Sequence, residues 1–246
     1  MLDKEKISRN FSRSASSYDQ HALLQKELAD KLFDSIGGFK PARVLDIGCG
    51  TGYLADKMSQ KFPSAKVVGI DIAPGMIEVA KSKYQRANLL FALGDGESLP
   101  FDQQSFDLII SNASLQWMSL EKVLGEVNRV IRQQGNFSFT TFGPGTLIEL
   151  KACDFQVNDF TSIAEIKKGL GKIFSEIKID AYMKKVEFAS VKELILHLKE
   201  IGAHSSEKVP KKFDVFRAMK EHHRRFSKDG TINASFEVIF AVCKYL

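Results

Sequence analysis

Short apolar runs alternate with stretches of helical periodicity between residues 44 and 142. The apolar runs lie at 44–47, 67–70, 89–93, 106–112 and 136–142, and their lengths are those of buried strands. Between them, apolar residues recur at helical spacing over 53–62 and 76–84 and again from Val123 to Ile131, where Gly135 is expected to end the helix. Strands that alternate with helices form a parallel sheet with helices on both faces. The pattern predicts a doubly wound α/β core.

The two ends of the chain depart from this alternation. Residues 4–36 carry two helical stretches, and Gly37-Gly38 ends the second one. After residue 142 we expect short helices near 146–153 and 162–172, a sixth strand within 175–188 and a strongly alternating last strand at 234–242. The intervening stretch, roughly 190–230, has helical patterns at 191–201 and 214–226. We therefore predict one domain, divided into an N-terminal cover (1–40), a core (41–188), an inserted helical lid (189–231) and a last strand (232–246).

Candidate chemistry is concentrated where the first two strands end. The first strand runs into Gly48-Cys49-Gly50-Thr51-Gly52, and the second ends at Asp71. Glycines after a strand let the backbone turn tightly and approach a ligand without a Cβ in the way. An acidic residue at the end of the second strand is placed to accept hydrogen bonds from both hydroxyls of a ribose. This pattern predicts a nucleoside site at the first βα turn.

Two details indicate which nucleoside is bound. The glycines follow G-x-G-x-G, whereas a dinucleotide site has G-x-G-x-x-G, and Asp46 stands two residues before the first glycine. A carboxylate there would repel a pyrophosphate but suits an ammonium group. S-adenosyl-L-methionine carries a ribose and an amino-acid ammonium, and it has no phosphate. The stretch resembles motif I of the class I methyltransferases, and S-adenosyl-L-methionine is the cofactor that this resemblance implies.

The resemblance also implies a fold and a set of cofactor-binding residues. The fold is α/β and Rossmann-like, a doubly wound, mostly parallel seven-stranded sheet with an antiparallel last strand, an N-terminal helical cover and an inserted helical lid. In the loop after the third strand, Asp95 is the candidate acceptor for the adenine amino group, whereas Glu97 is interpreted as solvated or as a helix-cap partner. The residues expected to bind the cofactor are Asp46, Gly48, Cys49, Gly50, Asp71, Ile72, Met76, Asp95, Gly96 and Asn112. A purely structural role for the glycines is the alternative, which Asp71 and Asp95 at the family spacing disfavour.

Residues on the acceptor side are expected in two places. The N-terminal segment of such folds can lie over the open ligand cleft, and Tyr18 and His21 would then face the reacting centre. Gln116 and Trp117 follow the fourth strand, where class I methyltransferases usually place residues of the acceptor site. We assign a catalytic role to Tyr18 and substrate contacts to the other three residues. The alternative for the aromatic residues is that they only pack the core.

A narrower resemblance covers nearly the whole chain. The runs 11–19 (with Ala22 and Gln25), 111–117, 139–142, 145–150, 198–203 and 235–240 are similar to the malonyl-acyl-carrier-protein O-methyltransferases of biotin synthesis. This resemblance implies that the free carboxylate of a malonyl thioester attacks the sulfonium methyl group and becomes a methyl ester. One stretch departs from the family: relatives tend to show His-x-Asn-Arg-Phe where this chain has Gln-Val-Asn-Asp-Phe at 156–160. If that arginine holds the malonyl carboxylate in relatives, another residue does so here.

Positive charge is concentrated in the predicted lid. The whole chain has a net charge of +5, yet residues 208–228 contain eight lysines or arginines against two acidic residues. Phenylalanines and a methionine interleave with these basic residues. A solvated face is the ordinary explanation of such a run. The alternative is that the segment attracts a strongly acidic acyl carrier protein that carries the malonyl thioester, through Lys211, Lys212, Arg217, Arg224 and Arg225.

The remaining features narrow the class of protein. The three cysteines lie far apart without metal-ligand spacing, which fits a reducing compartment and predicts no metal site. No apolar run approaches the roughly 18 residues of a membrane-spanning helix, and the charged N-terminus lacks a signal-type apolar region. We predict a cytoplasmic protein without a membrane partner, and nucleic acid is not the expected partner. The alternatives are methylation of a quinone precursor or a small carboxylic acid, an RNA-modifying or RNA-binding protein, and a non-catalytic methyltransferase-like partner.

Overall fold

The structure is a computed structural model that describes residues 3–153, 155, 157–203, 224–225, 227–228 and 231–245. One mixed sheet forms its centre. Its strands are β1 (Arg43–Ile47), β2 (Lys66–Asp71), β3 (Leu89–Leu93), β4 (Phe106–Asn112), β5 (Ile131–Phe142), β6 (Glu176–Phe188), β7 (Ser227–Lys228) and β8 (Thr231–Lys244). The long strands lie in the order β3-β2-β1-β4-β5-β8-β6, and the two-residue β7 pairs with β8. From β3 to β5 neighbouring strands are parallel, whereas β8 is antiparallel to both β5 and β6. The predicted fold class is confirmed, and β7 is an addition to it.

Helices cover both faces of this sheet. The described helices are α1 (Lys4–Ser14), α2 (Tyr18–His21), α3 (Leu23–Ser35), α4 (Tyr53–Lys61), α5 (Pro74–Lys83), α6 (Leu120–Val130), α7 (Ile148–Lys151), α8 (Ile163–Leu170) and α9 (Val191–Glu200). Apolar residues of α3, α4 and α5 pack on one face of the sheet, and those of α6 and α8 pack on the other. These layers bury β1 and β4 on both faces, which accounts for the near-continuous apolar runs in the two strands. The order of the strands reverses between β1 and β4, and in such sheets ligands bind at the carboxyl ends beside that point.

The start of β5 differs from the expectation. The helix α6 ends at Val130, and the next residue already has extended backbone and belongs to β5. Gly135 therefore lies inside the strand and does not end the helix. Ile131 pairs with Phe106 and Asn136 pairs with Leu108, so the residues between them form an irregularity in β5. The polar residues of this irregularity interrupt the apolar run, which is why the pattern predicted a later start for the strand.

The N-terminal cover, defined as α1, α2 and α3, is fastened to the sheet by contacts at its carboxyl edge. In α1, Ser8 Oγ donates to the carbonyl oxygen of Ile72 at 2.9 Å, and Ser12 Oγ accepts the N–H of Gly75 at 3.2 Å. A Cβ on Gly75 would lie 2.6 Å from the carbonyl oxygen of Ser12, so a side chain there would push α1 away. The helix α9 contacts both α1 and α2.

The predicted lid is only partly described by the structure. The described part of the predicted lid is mainly α9, and the helix expected at 214–226 lies outside the described residues except for residues 224 and 225. Among the described residues, no helix combines the length and the apolar character that crossing a membrane requires. The cytoplasmic location and the division of the domain stay predictions.

Candidate functional site

The glycine loop after β1 has a backbone that only glycine adopts readily. Gly48, Gly50 and Gly52 have φ angles of +72°, +53° and +86°, in the left-handed region that disfavours side chains. A Cβ on Gly48 would lie 2.5 Å from Ser114, whereas a Cβ on Gly50 would meet nothing within 4 Å. Gly50 is therefore the point at which the loop meets open space. The loop is tied to β2 because the N–H of Gly48 donates to the carbonyl oxygen of Ile70 at 2.8 Å.

Asp71 is oriented by the same loop. Its Oδ2 accepts the N–H of Gly50, and its Oδ1 accepts the N–H of Ala73, both at 2.9 Å. Burial raises the pKa of Asp71, and the hydrogen bonds from Ala73 and Gly50 limit the rise. The side chain lines the main cavity of the site. A carboxylate has further lone pairs besides the two that are used here, so Asp71 is able to accept hydroxyl donors from a ligand.

Asp46 has the opposite environment. It is 1% exposed, and neither carboxyl oxygen has a hydrogen-bond partner among the described residues. Burial, and then the nearby Asp71, raise the pKa of Asp46 to about 8. A buried carboxyl group without a partner is costly, and a positively charged donor placed against it removes that cost. The site therefore fits a ligand that carries an ammonium group, as S-adenosylmethionine does.

A cavity of about 680 Å³, here called the first cavity, lies at the carboxyl ends of the central strands. Eight of the ten predicted cofactor residues line it, namely Gly48, Gly50, Asp71, Ile72, Met76, Asp95, Gly96 and Asn112. The other two, Asp46 and Cys49, line a second cavity of about 430 Å³ between the glycine loop and the cover. The two cavities share Tyr18, Gly48, Gly50 and Asn112 as wall residues. All ten predicted residues are thus brought to two adjoining compartments.

The acidic loop at the far end of the first cavity is held by the cover. Lys4 Nζ of α1 donates to Asp95 Oδ2 at 2.6 Å and lies 2.8 Å from a carboxylate oxygen of Glu97. The side chain of Glu97 is only 6% exposed, and it accepts the N–H of Ser119 at the start of α6 at 2.8 Å. Burial opposes ionisation of Glu97, but Lys4 and Ser119 outweigh it and lower its pKa. The helix-cap interpretation of Glu97 is confirmed, and the solvated interpretation is wrong.

Tyr18 stands where the two cavities meet. Burial, followed by the charges of Asp71 and Asp19, raises the pKa of its phenol well above the ordinary value. At neutral pH the phenol is therefore protonated and available as a hydrogen-bond donor. The neighbouring Asp19 fastens this part of the cover to the glycine loop. Its Oδ1 accepts the hydroxyl of the buried Thr51 at 2.6 Å, and its Oδ2 is paired with Lys83 of α5.

The acceptor side of the first cavity contains one of the predicted substrate residues. Trp117 lines the cavity, and its ring lies edge-on against Phe11 of α1 with the ring centres 5.5 Å apart. Asn112 also lines it, but both ends of its amide are engaged. Its Nδ2 donates to the carbonyl oxygen of Gln25 at 2.9 Å, and its Oδ1 accepts the hydroxyl of Thr140 at 2.7 Å. Asn112 therefore holds α3 against β4, and its contribution to the cavity is a fixed wall.

His21 and Gln116 line neither cavity. His21 Nε2 faces α9 and lies 4.0 Å from a carboxylate oxygen of Glu200. Gln116 donates to the carbonyl oxygen of its own loop at Ala113 and accepts the hydroxyl of Thr141, at 2.6 and 3.1 Å. The structure does not support a substrate contact for either side chain.

The predicted partner-binding residues are only partly described. Lys211, Lys212 and Arg217 lie outside the described residues. Arg224 and Arg225 are exposed, and Arg225 Nη1 donates to the carbonyl oxygen of Ala152 at 2.9 Å. The described part of the predicted basic surface thus starts beside the turn that follows α7.

Sequence reasoning missed the contribution of α1 to the first cavity. Lys4, Ile7 and Phe11 line it, and their spacing of three and four residues places them on one face of a helix. That periodicity was the available signal. To use this signal, one must know which face of α1 meets the sheet, and no local sequence pattern gives that information. Within the described residues, no group of three or more His, Cys, Asp or Glu side chains is arranged to hold a metal ion.

Comparison with known proteins places this geometry in a family. Residues 44–135 match the family model described as a methyltransferase domain. The malonyl-[acyl-carrier protein] O-methyltransferase of Anoxybacillus flavithermus is 34% identical over 98% of this chain and 97% of that protein. The protein of the same name from Acetivibrio thermocellus is 32% identical over 98% of this chain and 93% of its own length.

Solved structures show the same fold at lower identity. The YcgJ protein from Bacillus subtilis superposes with a TM-score of 0.66 at 21% identity and covers 89% of this chain and 98% of its own. The geranyl diphosphate C-methyltransferase from Streptomyces coelicolor superposes with a TM-score of 0.58 at 15% identity over 91% of this chain and 80% of its own. These two structures show only that the fold is shared, whereas the relatives at 32% and 34% identity match 98% of this chain. The chain therefore belongs to the family of the malonyl-[acyl-carrier protein] O-methyltransferases.

Proposed function

We propose that the chain transfers a methyl group from S-adenosylmethionine to the free carboxylate of a malonyl thioester on acyl carrier protein, as an early step of biotin synthesis. The observation that carries this proposal is the similarity to relatives of that name over 98% of the chain. The architecture of the two cavities supports it. A single ligand with a nucleoside and an amino-acid end fits two compartments that meet at the glycine loop.

Three carboxylates would hold the cofactor. Asp71 would accept the ribose hydroxyls, Asp95 would accept the adenine amino group, and Asp46 would face the ammonium group. The unpartnered carboxyl of Asp46 supports the last assignment, because a cationic donor would relieve the cost of burying it. The bound cofactor supplies an electrophilic methyl group on a sulfonium centre. The remaining task of the protein is to bind and orient the two reactants and to exclude water.

The titratable groups of the first cavity favour an acceptor that is already ionised. Among the described residues they are Lys4, Tyr18, Asp71 and Asp95. The two aspartates are engaged in hydrogen bonds, and the phenol of Tyr18 keeps its proton. A carboxylic acid with a pKa of about 4 needs no base, because it is ionised at neutral pH. A malonyl carboxylate therefore matches this cavity better than a phenol or an enol that must first lose a proton.

Tyr18 and the aromatic wall would then align the reactants. The phenol would donate a hydrogen bond to the acceptor carboxylate, while Phe11 and Trp117, which line the cavity and contact each other, would limit the access of water. Because an anion and a sulfonium neutralise each other during the transfer, a dry site favours the transition state. Well-oriented partners gain roughly 7–11 kcal/mol over partners in free solution. None of this contribution requires a general base.

The carrier protein would approach through the basic segment of the lid. Arg224 and Arg225 are its described members, and both are exposed. Long-range attraction between this segment and an acidic carrier would raise the rate of association and would weaken with salt.

Methyl transfer from labelled S-adenosylmethionine tests the function directly. We expect a base-labile methyl ester on malonyl-carrier protein and none on acetyl-carrier protein, which lacks the free carboxylate. Malonyl-pantetheine, which lacks the protein, should react with a higher KM and with little salt dependence. Methylation of bulk RNA or of a phenolic quinone precursor, without activity on malonyl-carrier protein, would contradict the proposal.

A further inference from the structure

Two serine hydroxyls converge on one backbone carbonyl beside the glycine loop. Ser111 Oγ and Ser114 Oγ each lie 2.9 Å from the carbonyl oxygen of Ile47, and the two hydroxyl oxygens are 2.6 Å apart. Each hydroxyl has one proton to donate, and a buried carbonyl is satisfied by a single donor. The pair therefore carries one proton more than this carbonyl needs.

The extra proton belongs to the serine that borders the first cavity. Ser111 is completely buried, whereas Ser114 keeps 8% of its surface exposed and lines the first cavity. A hydroxyl turns about its C–O bond, so Ser114 can direct its proton at a ligand while Ser111 still donates to Ile47. A Cβ on Gly48 would lie 2.5 Å from Ser114 Oγ, so this hydroxyl stands directly against the glycine loop. Ser114 is therefore a spare donor at the wall of the cavity.

The residue before Ser114 has a backbone conformation that its neighbours enforce. Ala113 has a φ angle of +48°, in the left-handed region that residues other than glycine rarely adopt. Its N–H donates to Thr140 Oγ1 at 3.0 Å, and its carbonyl oxygen accepts the amide of Gln116 at 2.6 Å. Such conformations persist where the surrounding contacts fix them, and they are frequent at functional sites. Gln116 and Thr140 thus position the turn that carries Ser114.

The other side-chain donors of the first cavity are already engaged or fixed in direction. The ammonium group of Lys4 is paired with two carboxylates, and the amide of Asn112 donates to a backbone carbonyl of α3. The indole N–H of Trp117 cannot turn, because the ring is held edge-on against an aromatic ring of α1. Among the described side chains that line this cavity, the hydroxyls of Tyr18 and Ser114 are the two that can turn a proton towards a new acceptor.

We propose that Ser114, together with Tyr18, holds the acceptor carboxylate during methyl transfer. The inference rests on the proposed function, and it adds a residue that binds the substrate. In the transfer, the bond from a carboxylate oxygen to the methyl carbon forms as the carbon–sulfur bond breaks, and the electron pair of that bond stays on sulfur. No proton moves, so both hydroxyls keep theirs.

Two neutral donors suit this reaction better than a cation would. The carboxylate loses its negative charge as the ester forms, and hydrogen bonds to a charged group are stronger than those to a neutral one. A lysine or arginine in contact with the carboxylate would stabilise it more than the transition state and would raise the barrier. Neutral hydroxyls orient the attacking oxygen with a smaller penalty of this kind.

Kinetics with two pantetheine thioesters test this proposal. Ser114→Ala keeps the Cβ and removes the hydroxyl, and at saturating S-adenosylmethionine we expect kcat/KM for malonyl-pantetheine to fall roughly 2- to 12-fold. Acetyl-pantetheine has the thioester without the carboxylate, so its inhibition constant should not change. The affinity for S-adenosylhomocysteine, measured by calorimetry, should also stay at the wild-type value, because Ser111 still satisfies Ile47. Ser82→Ala, at an exposed position of α5, is the matched control and should change none of these quantities.

A double variant tests whether the proton of Ser114 is spare. Ser111→Ala combined with Ser114→Ala removes both hydroxyl donors of Ile47 at the start of the glycine loop. We expect the affinity for S-adenosylhomocysteine to fall roughly 5- to 150-fold in this variant, although neither single substitution lowers it.

Two results would overturn the inference. The first is wild-type kcat/KM for malonyl-pantetheine in Ser114→Ala. The second is a weaker affinity for S-adenosylhomocysteine together with a higher inhibition constant for acetyl-pantetheine in the same variant, which would show that Ser114 only supports the structure. Both leave methyl transfer by the wild-type protein intact, whereas absence of methyl transfer by the wild-type protein to malonyl-carrier protein would overturn the proposed function as well.

Discussion

The two halves of the site are built by different kinds of contact. On the nucleoside half, backbone N–H groups of nearby loops hold the functional side chain, as Gly50 and Ala73 hold Asp71. On the half proposed to hold the acceptor, part of the wall comes from the cover, which is fastened by side chains: Lys4 to Asp95, and Asp19 to Thr51. Backbone contacts follow from the course of the chain, whereas side-chain contacts require partners far apart in sequence.

This difference has a functional consequence. The nucleoside half keeps its shape as long as the sheet is folded, because its hydrogen bonds belong to the sheet edge. The cover lines both cavities and is held by a few polar contacts, and α9 contacts two of its helices. Substitutions in the first half should therefore change cofactor affinity, and those in the second should change mainly the turnover and the use of the acceptor.

The largest effect is expected from Asp71→Ala. The change removes the ribose acceptor and leaves the N–H groups of Gly50 and Ala73 without their partner. A loss of about 1–3 kcal/mol is typical for such groups and corresponds to a roughly 5- to 150-fold lower affinity for S-adenosylmethionine. Calorimetry measures this, with Asp34→Ala at an exposed position of α3 as control. Equal affinity in the two variants would remove Asp71 from the site.

A smaller effect is expected where the cover meets the glycine loop. Thr51→Val keeps the size of a buried side chain and removes the hydroxyl that Asp19 accepts. We expect kcat/KM to fall roughly 5- to 30-fold, because the cover and Tyr18 lose a fixed position. Thr51→Ser restores the hydroxyl and should recover most of the activity.

A double substitution separates this contact from general damage. Because Asp19 is also paired with Lys83, Asp19→Ala alone should cost more than Thr51→Val, and if Asp19 and Thr51 act together the double variant should cost little more than Asp19→Ala alone. Additive losses would show that the two residues contribute independently. The contact between Asp19 and Thr51 would then not be what fastens the cover to the glycine loop.

The residues that the sequence assigns to the cofactor lie together in the structure for a physical reason. Asp46, Gly48, Gly50 and Asp71 are fixed by the ends of two neighbouring parallel strands, so their spacing along the chain already determines their positions in space. Asp46 was predicted to face a cation, and its buried, unpartnered carboxyl supports that prediction. The doubly wound sheet follows from the same alternation of strand and helix.

The rest of the site depends on how helices are rotated and docked. Lys4 and Phe11 of α1 line the first cavity, whereas His21 of α2 lies beside Glu200 of α9. Periodicity gives the faces of a helix but not which of them turns inward when several are polar. The early start of β5 was missed for a related reason, since Gly135 is a typical helix end by its residue type alone.

Tyr18→Phe tests the catalytic assignment on the acceptor half. Removing the phenol hydroxyl deletes one donor to the acceptor carboxylate. Because that carboxylate loses its charge during the transfer, we assign the loss the value of an uncharged hydrogen bond, about 0.5–1.5 kcal/mol, which lowers kcat roughly 2- to 12-fold. The affinity for S-adenosylmethionine should be unchanged, because the ring still fills the junction of the cavities. Steady-state kinetics and calorimetry measure the two quantities, with Tyr245→Phe, near the chain end and away from both cavities, as control. Wild-type turnover would mean that Tyr18 only packs.

The smallest effect is expected at the ion pair that fastens the start of α1. Lys4 is 37% exposed, so its pairs with Asp95 and Glu97 are screened by water and contribute at most about 1 kcal/mol to the free energy of unfolding. Lys4→Met should cost no more than that at neutral pH, and less at high salt. Lys40→Met, at an exposed position, is the control.

The pH dependence of this small effect has a definite sign. The pKa of Glu97 is lowered in the folded protein, mainly by Lys4 and Ser119 against the opposing effect of burial. A carboxyl group with a lowered pKa stabilises the fold above its unfolded value, near 4.3, and that stabilisation is lost as the pH falls below it. The difference in unfolding free energy between wild type and Lys4→Met should therefore be constant from neutral pH to about pH 5 and shrink towards pH 3. Denaturant unfolding across this range measures the difference. A gap that stays constant down to the lowest pH would show that Lys4 acts through packing of its aliphatic stem and not through its charge.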